Sequence, residues 1–242
     1  MKYDFTTIMD RLGKDATAVD LPATGKAYGP RDEQFDFIPM WVADMNFATV
    51  PTIQEAISER LAHPAYGYFM PRDEYYQGII NWQEKRNGVT GLTKEAIGYE
   101  NGVLGGLVSA LNAFANPGDS VLVHSPTYIG FTRSITGAGY KIVLSDLKRD
   151  EEGIWRMDYE DMDAKIKENK IHVAVFCNPH NPTGRVWEKE ELEKAMEVYK
   201  NNDCIVISDE IWSDIILNGN KHIPLQSISE GAKNRTIALY AP

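Results

Sequence analysis

Apolar residues along this chain follow two rhythms. In the first, a run of apolar and β-branched residues stops abruptly at polar groups, as in Val173-Ala174-Val175-Phe176-Cys177 before Asn178 and Cys204-Ile205-Val206-Ile207 before Ser208-Asp209. Unalternating runs of this length predict strands buried on both faces, as in a parallel sheet, with their carboxyl tips turned toward a ligand crevice. By this pattern strands are expected at 120–124, 141–145, 171–177, 204–208 and 236–240. In the second rhythm, apolar residues recur every three or four positions. Ile53, Ala56, Ile57 and Leu61 fall on one face of a helix that begins at Val50-Pro51, with Pro51 near its first turn. Further helices are expected over 73–87, ended by Gly88, from Asn101-Gly102 onward, near 158–169, and over 188–201. Strands separated by helices imply an α/β fold with a mostly parallel sheet and right-handed crossovers. Residues 1 to about 50, rich in Gly, Pro and Asp, read as an irregular arm rather than core.

Composition narrows the class without identifying it. The 242 residues are 43% hydrophobic and 10% aromatic, enough for a large buried core. The net charge of −10, with no Lys/Arg cluster, speaks against a nucleic-acid partner. Apolar runs are strand-sized, and Asp4 and Asp10 come early, so neither a membrane span nor a secretory signal is expected and a cytoplasmic location is the default. The two cysteines, Cys177 and Cys204, lie in expected buried strands and read as small core residues. Five histidines, at 63, 124, 172, 180 and 222, form no ligand cluster, so no metal is expected. There is no Gly-x-Ser-x-Gly elbow and no Walker-type loop.

The candidate chemistry sits at the strand tips. Asn178 and Asn181 end one strand and Asp209 ends the next. Each motif alone has an ordinary reading, Asn-Pro as turn chemistry and a strand-end Asp as a helix cap. Gly102-Val103-Leu104-Gly105-Gly106 opens a helix, where glycines let backbone N–H groups approach an anion and the helix dipole favours negative charge. The same glycines could equally serve close helix packing. Their spacing is not that of a dinucleotide fingerprint.

Asn178-Pro-x-Asn181-Pro-Thr-Gly followed by the strand-end Asp209 resembles fold-type I enzymes of the class I/II aminotransferase family, which use pyridoxal 5′-phosphate (PLP). The resemblance implies a three-layer sandwich around the sheet. It implies that Asn181 donates to the ring's phenolate oxygen, that Asp209 pairs with the pyridine nitrogen, and that the backbone at Val103 and Leu104 holds the phosphate. In Ser125-Pro126-Thr127-Tyr128 it places Tyr128 over one face of the ring.

Ile38-Pro39-Met40-Trp41-Val42-Ala43-Asp44-Met45-Asn46-Phe47, Tyr66-Gly67-Tyr68, Arg185-Val186-Trp187 and Ser208-Asp209-Glu210-Ile211-Trp212-Ser213-Asp214 look like the MalY/PatB-type cystathionine β-lyases, from Phe37 onward. That likeness implies a C–S lyase acting on a small amino-acid substrate and a homodimer in which Tyr68 reaches the neighbouring subunit's phosphate site. Trp41 and Ala43 would line the substrate pocket. An aminotransferase on the same scaffold and a regulatory PLP-fold protein remain open as alternatives. Two departures stand out: Asn46 replaces the family's Asp, and Trp212 stands where many aminotransferases carry Tyr, a donor-only indole in place of a phenol. The resemblance assigns residues 1–50 to an arm with part of a small domain and 51–242 to the large PLP-binding domain. It puts the Schiff-base lysine just after Pro242, so the chain is expected to be an N-terminal piece of a longer protein.

Overall fold

The computed structural model describes residues 3–25, 32, 34–35 and 38–241. Phe37, where the resemblance begins, and Pro242 lie outside them. The chain divides into two compact units, 1–69 and 70–242.

The first unit holds α1 (Thr17–Ala23) and α2 (Pro51–Leu61). Within the expected irregular arm, α1 is a correction. Its Asp20 carboxylate accepts from the Gly13 and Ala16 N–H groups, which ties the preceding turn to the helix. In α2, Pro51 occupies the first turn as expected, but Ile53, Ile57 and Leu61 are at least half exposed. The Trp41 indole donates to Ala18 O at 3.0 Å, anchoring the following loop onto α1.

The second unit begins with α3 (Asp73–Asn87). Acidic Asp73 and Glu74 open this helix, basic Lys85 and Arg86 end it, and Gly88 terminates it at φ 69°. Then follow α4 (Val103–Phe114), β1 (Ser120–Ser125), α5 (Ile129–Gly137), β2 (Lys141–Asp146), the short ribbon strands β3 (Lys148–Arg149) and β4 (Trp155–Arg156), and α6 (Tyr159–Asn169). The unit closes with β5 (Val173–Cys177), α7 (Lys189–Asn201), β6 (Ile205–Asp209), α8 (Glu230–Lys233) and β7 (Thr236–Leu239). Two helix starts carry caps legible in the sequence. Asp158 accepts from Asp161 N at α6, and Glu188 with Glu191 forms a reciprocal box at α7.

The main sheet runs β2-β1-β5-β6-β7, with every pair parallel. Strand alternation sorts the core into two layers. Val121, Val123, Val173, Val175 and Ile207 pack with Leu107, Leu111, Phe131 and Ile135 from α4 and α5. Leu122, Ala174, Phe176 and Val206 pack on the opposite face with Met162, Ile166, Leu192 and Tyr199 from α6 and α7. This is the expected three-layer sandwich. From β1 the chain leaves through α5 on one face toward β2, and from β5 through α7 on the other toward β6. The strand order therefore reverses between β1 and β5, and the crevice of an open α/β sheet forms at the carboxyl edge there. Among the described residues no helix is long and apolar enough to cross a membrane, and no cluster of His, Cys, Asp or Glu could hold a metal ion.

Candidate active site

Three strand tips and one helix start meet at the carboxyl edge of the sheet. Asp209 is the last residue of β6, opposite Cys177 at the end of β5, and its carbonyl accepts from Asn178 N at 2.9 Å. Asn181 follows one turn later, its N–H directed to Cys177 Sγ at 3.4 Å. Leu239 at the tip of β7 pairs with Asp209 on one side. It also touches the start of α4, where a Cβ added to Gly106 would lie 3.0 Å from Leu239 Cδ2. Tyr128 caps α5 just beyond the tip of β1. Residues 103, 104, 128, 181 and 209 thus share one edge of the second unit.

The Asp209 side chain is 5% exposed, and among the described residues its carboxylate has a single donor, Ile211 N at 3.1 Å. Burial pushes its carboxyl up to about 6, the Ile211 N–H draws it down, and the neighbouring Glu210 charge adds to the rise. The result is a buried acid without a cation, a place that a positively charged group would relieve. Burial also pushes the adjacent Cys177 thiol up to about 12, with Asp209 contributing, so it stays neutral.

At α4 the arrangement has the opposite sign. No side chain caps the helix, and its first internal bond runs from Gly106 N to Gly102 O. The N–H groups of Val103 and Leu104 are left for another acceptor, which favours an anion. Gly102 adopts φ 84° and ψ 162°, a conformation almost confined to glycine.

Asn178 and Asn181, neighbours in the same motif, differ in kind. Asn178 is fully buried and donates to Ile223 O at 2.9 Å, which fastens the loop before α8 beneath β5. The Asn181 side chain is only half buried and has no protein partner among the described residues. Trp187 supports the same turn, donating to Cys177 O at 2.9 Å. Trp212 sits half buried on the turn after Asp209.

Sequence reasoning passes over a buried clip beside Asp209. Glu210, 2% exposed, accepts from Ser208 Oγ at 2.9 Å, from Leu225 N at 3.0 Å, and faces His222 Nε2 at 3.3 Å. Its position immediately after Asp209 is the only signal that could have found it. Sequence reasoning also passes over Asp214, which gathers Trp82 Nε1 at 3.0 Å, Arg86 and the Tyr240 hydroxyl just past β7.

Trp41, Ala43 and Tyr68 belong to the first unit. Trp41 is half buried, Ala43 is exposed, and Tyr68 is fully exposed. There Asn46 gains a role that its sequence position did not reveal. Its Oδ1 accepts from Arg11 at 3.2 Å, while Arg11 pairs with Asp44 at 2.7 Å.

A sequence model of class I and II aminotransferases matches residues 36–240. The chain belongs to this family. Among its relatives, the cystathionine beta-lyase PatB of Bacillus subtilis is 35% identical over 96% of this chain and 58% of the relative. Cystalysin from Treponema denticola, solved with a pyridoxal 5′-phosphate cofactor, superimposes with a TM-score of 0.90 at 31% identity, covering 100% of this chain and 60% of that one. The PLP-bound C-S lyase from Staphylococcus hominis gives a TM-score of 0.85 at 33% identity, covering 100% and 59%. The chain therefore spans about three fifths of the length of these relatives.

Proposed function

We propose that this chain supplies the cofactor-binding part of a pyridoxal 5′-phosphate-dependent carbon–sulfur β-lyase. Its substrate would be cystathionine or a related cysteine S-conjugate, released as thiol, pyruvate and ammonia. The observation that carries this reading is the pairing of a buried, cation-free carboxylate at Asp209 with an uncapped helix start at Val103 and Leu104 on the same sheet edge. PLP carries a basic ring nitrogen and a phosphate, so the residues present fit it. When bound, it supplies an electron sink for the pair left at the substrate α-carbon.

The chain's own groups bind and orient. Asp209 keeps the ring nitrogen protonated, the Val103 and Leu104 N–H groups hold the phosphate, Tyr128 stacks on the ring, and the Asn181 amide donates to the phenolate oxygen. Trp41 and Ala43 line the substrate pocket. In a homodimer, Tyr68 reaches the phosphate site of the neighbouring subunit. The resemblance puts the lysine that would hold the cofactor just after Pro242, and the enzyme in the cytoplasm. In that enzyme residues 1–50 form the arm with part of a small domain, and 51–242 belong to the large domain.

The relatives named cystathionine beta-lyase and C–S lyase, at 35% and 33% identity, support β-elimination, with amino transfer as the alternative that other members of the family carry out. The test is an assay of the full-length protein with cystathionine that follows thiol and pyruvate together. Equal release of both supports the lyase. Conversion of the cofactor to pyridoxamine phosphate without thiol would identify an aminotransferase instead.

A further inference from the structure

Gly130, the second residue of α5, is buried and helical, and its backbone has no positive φ to require glycine. Glycine is the poorest helix former after proline, so alanine would suit the backbone better. The reason for glycine is spatial. A Cβ at position 130 would come within 2.9 Å of Tyr128 Cδ1 and 2.7 Å of Cζ, with Cε1 nearer still. The phenol ring occupies the space that any side chain at 130 would fill. Its other support is Phe131, 1% exposed, whose ring meets it edge-on at 5.4 Å and 86°. Tyr128 itself stays 37% exposed, so the rest of its ring faces outward at the carboxyl edge.

We propose that Gly130 is the positioning residue for Tyr128. By having no side chain, it lets the ring settle against the start of α5, between the Gly130 backbone and Phe131, where it offers a stacking surface to a flat heteroaromatic ligand. This rests on the reading of Tyr128 as the residue that stacks on the cofactor. The clashing atoms are the far end of a rotatable side chain, so an added methyl group turns the phenol away and leaves the helix intact. The same substitution therefore acts in opposite directions on the fold and on the ligand.

The experiment uses the full-length protein, prepared with and without PLP, as wild type, Gly130→Ala, Tyr128→Ala and the double variant. For Gly130→Ala the expected results are an apoprotein melting temperature equal to or above wild type and a PLP dissociation constant raised roughly 3–10-fold. The visible circular dichroism of the bound cofactor should also be weaker. In the Tyr128→Ala background, Gly130→Ala should change the dissociation constant by less than about twofold, because the two act through one ring. If Tyr128→Ala weakens PLP binding while Gly130→Ala does not, the positioning role is overturned and the reading of Tyr128 stands. If Tyr128→Ala has no effect, both fall. A lowered apoprotein melting temperature, with an undiminished loss of affinity in the Tyr128→Ala background, would mark Gly130 as structural only and overturn the proposal.

Discussion

Replacing Asp209 with asparagine separates the cost of this carboxylate from its use. The carboxyl titrates near 6 in the folded protein, against an ordinary value of 3.8, chiefly because it is buried. Between those two values the folded protein retains a proton that the unfolded chain has released, so stability falls as pH rises through the window. Once both states are ionised the loss is about 3 kcal/mol, and at pH 5 it is about half that. The amide of Asp209→Asn does not titrate. Its carbonyl oxygen can still accept from Ile211 N, and any cost of its N–H groups is independent of pH. The stability of the variant relative to wild type should therefore rise by roughly 1–2 kcal/mol between pH 5 and pH 8 in the cofactor-free protein.

Cofactor binding should move the other way. A ring cation loses the carboxylate that offsets its burial, which costs about 2–5 kcal/mol, or at least roughly thirtyfold in the PLP dissociation constant. Urea unfolding of the apoprotein at the two pH values, together with fluorescence titration with PLP, measures both. A relative stability that is flat or falling with pH would refute the burial argument. Unchanged PLP affinity would remove Asp209 from the ring-nitrogen role.

Three further outcomes can be checked with the same assays. Gly102→Ala adds a Cβ to open space but forces alanine to φ 84°, so urea unfolding should show a loss of about 1–3 kcal/mol, and an unchanged midpoint would remove the strain argument. Glu210→Ala strips the partner from Leu225 N, Ser208 and His222 at once and should cost at least about 3 kcal/mol, with His222→Ala adding little on top; simple additivity would show that the clip is not one unit. Tyr68→Phe should weaken PLP binding by roughly 1.5–3 kcal/mol while light scattering still reports a dimer, and undiminished affinity would exclude a phosphate contact.

The parts of this fold that can be read from sequence are those where local signals and tertiary burial agree. The runs at 173–177 and 204–207 are apolar because both faces of the sheet are covered, and the caps at Asp158, Glu188 and Gly88 mark their helices to within a residue. Helix α5 escapes a reading of the sequence because Gly130, Thr132, Ile135, Thr136 and Gly137 give it little intrinsic helicity. Burial of Phe131 and Ile135 against the sheet supplies what propensity lacks. Helix α1 is hidden similarly, by Pro22 within seven residues. At the site, residues at strand tips announce themselves through an abrupt change from apolar to polar. Glu210, His222 and Gly130 act through contacts with neighbours that no periodicity reveals.

The same edge explains why one ligand would matter to the whole unit. Glu188 and Glu191 satisfy the start of α7, and Asp158 satisfies that of α6, whereas α4, like α3 and α5, begins without a side-chain cap and differs from them in starting on a backbone that only glycine adopts readily. Among the described residues the other two buried carboxylates have clear partners: Glu191 has Arg156 and Arg185, and Glu210 has its clip, whereas Asp209 has one backbone N–H. A capping side chain and a neutral amide would remove both costs. Side by side, with opposite electrostatic demands, they are what a molecule bearing a cation and a phosphate would offset. The two defects are therefore better read as halves of one binding site than as independent imperfections, and the stability of this unit should depend on the ligand that completes it.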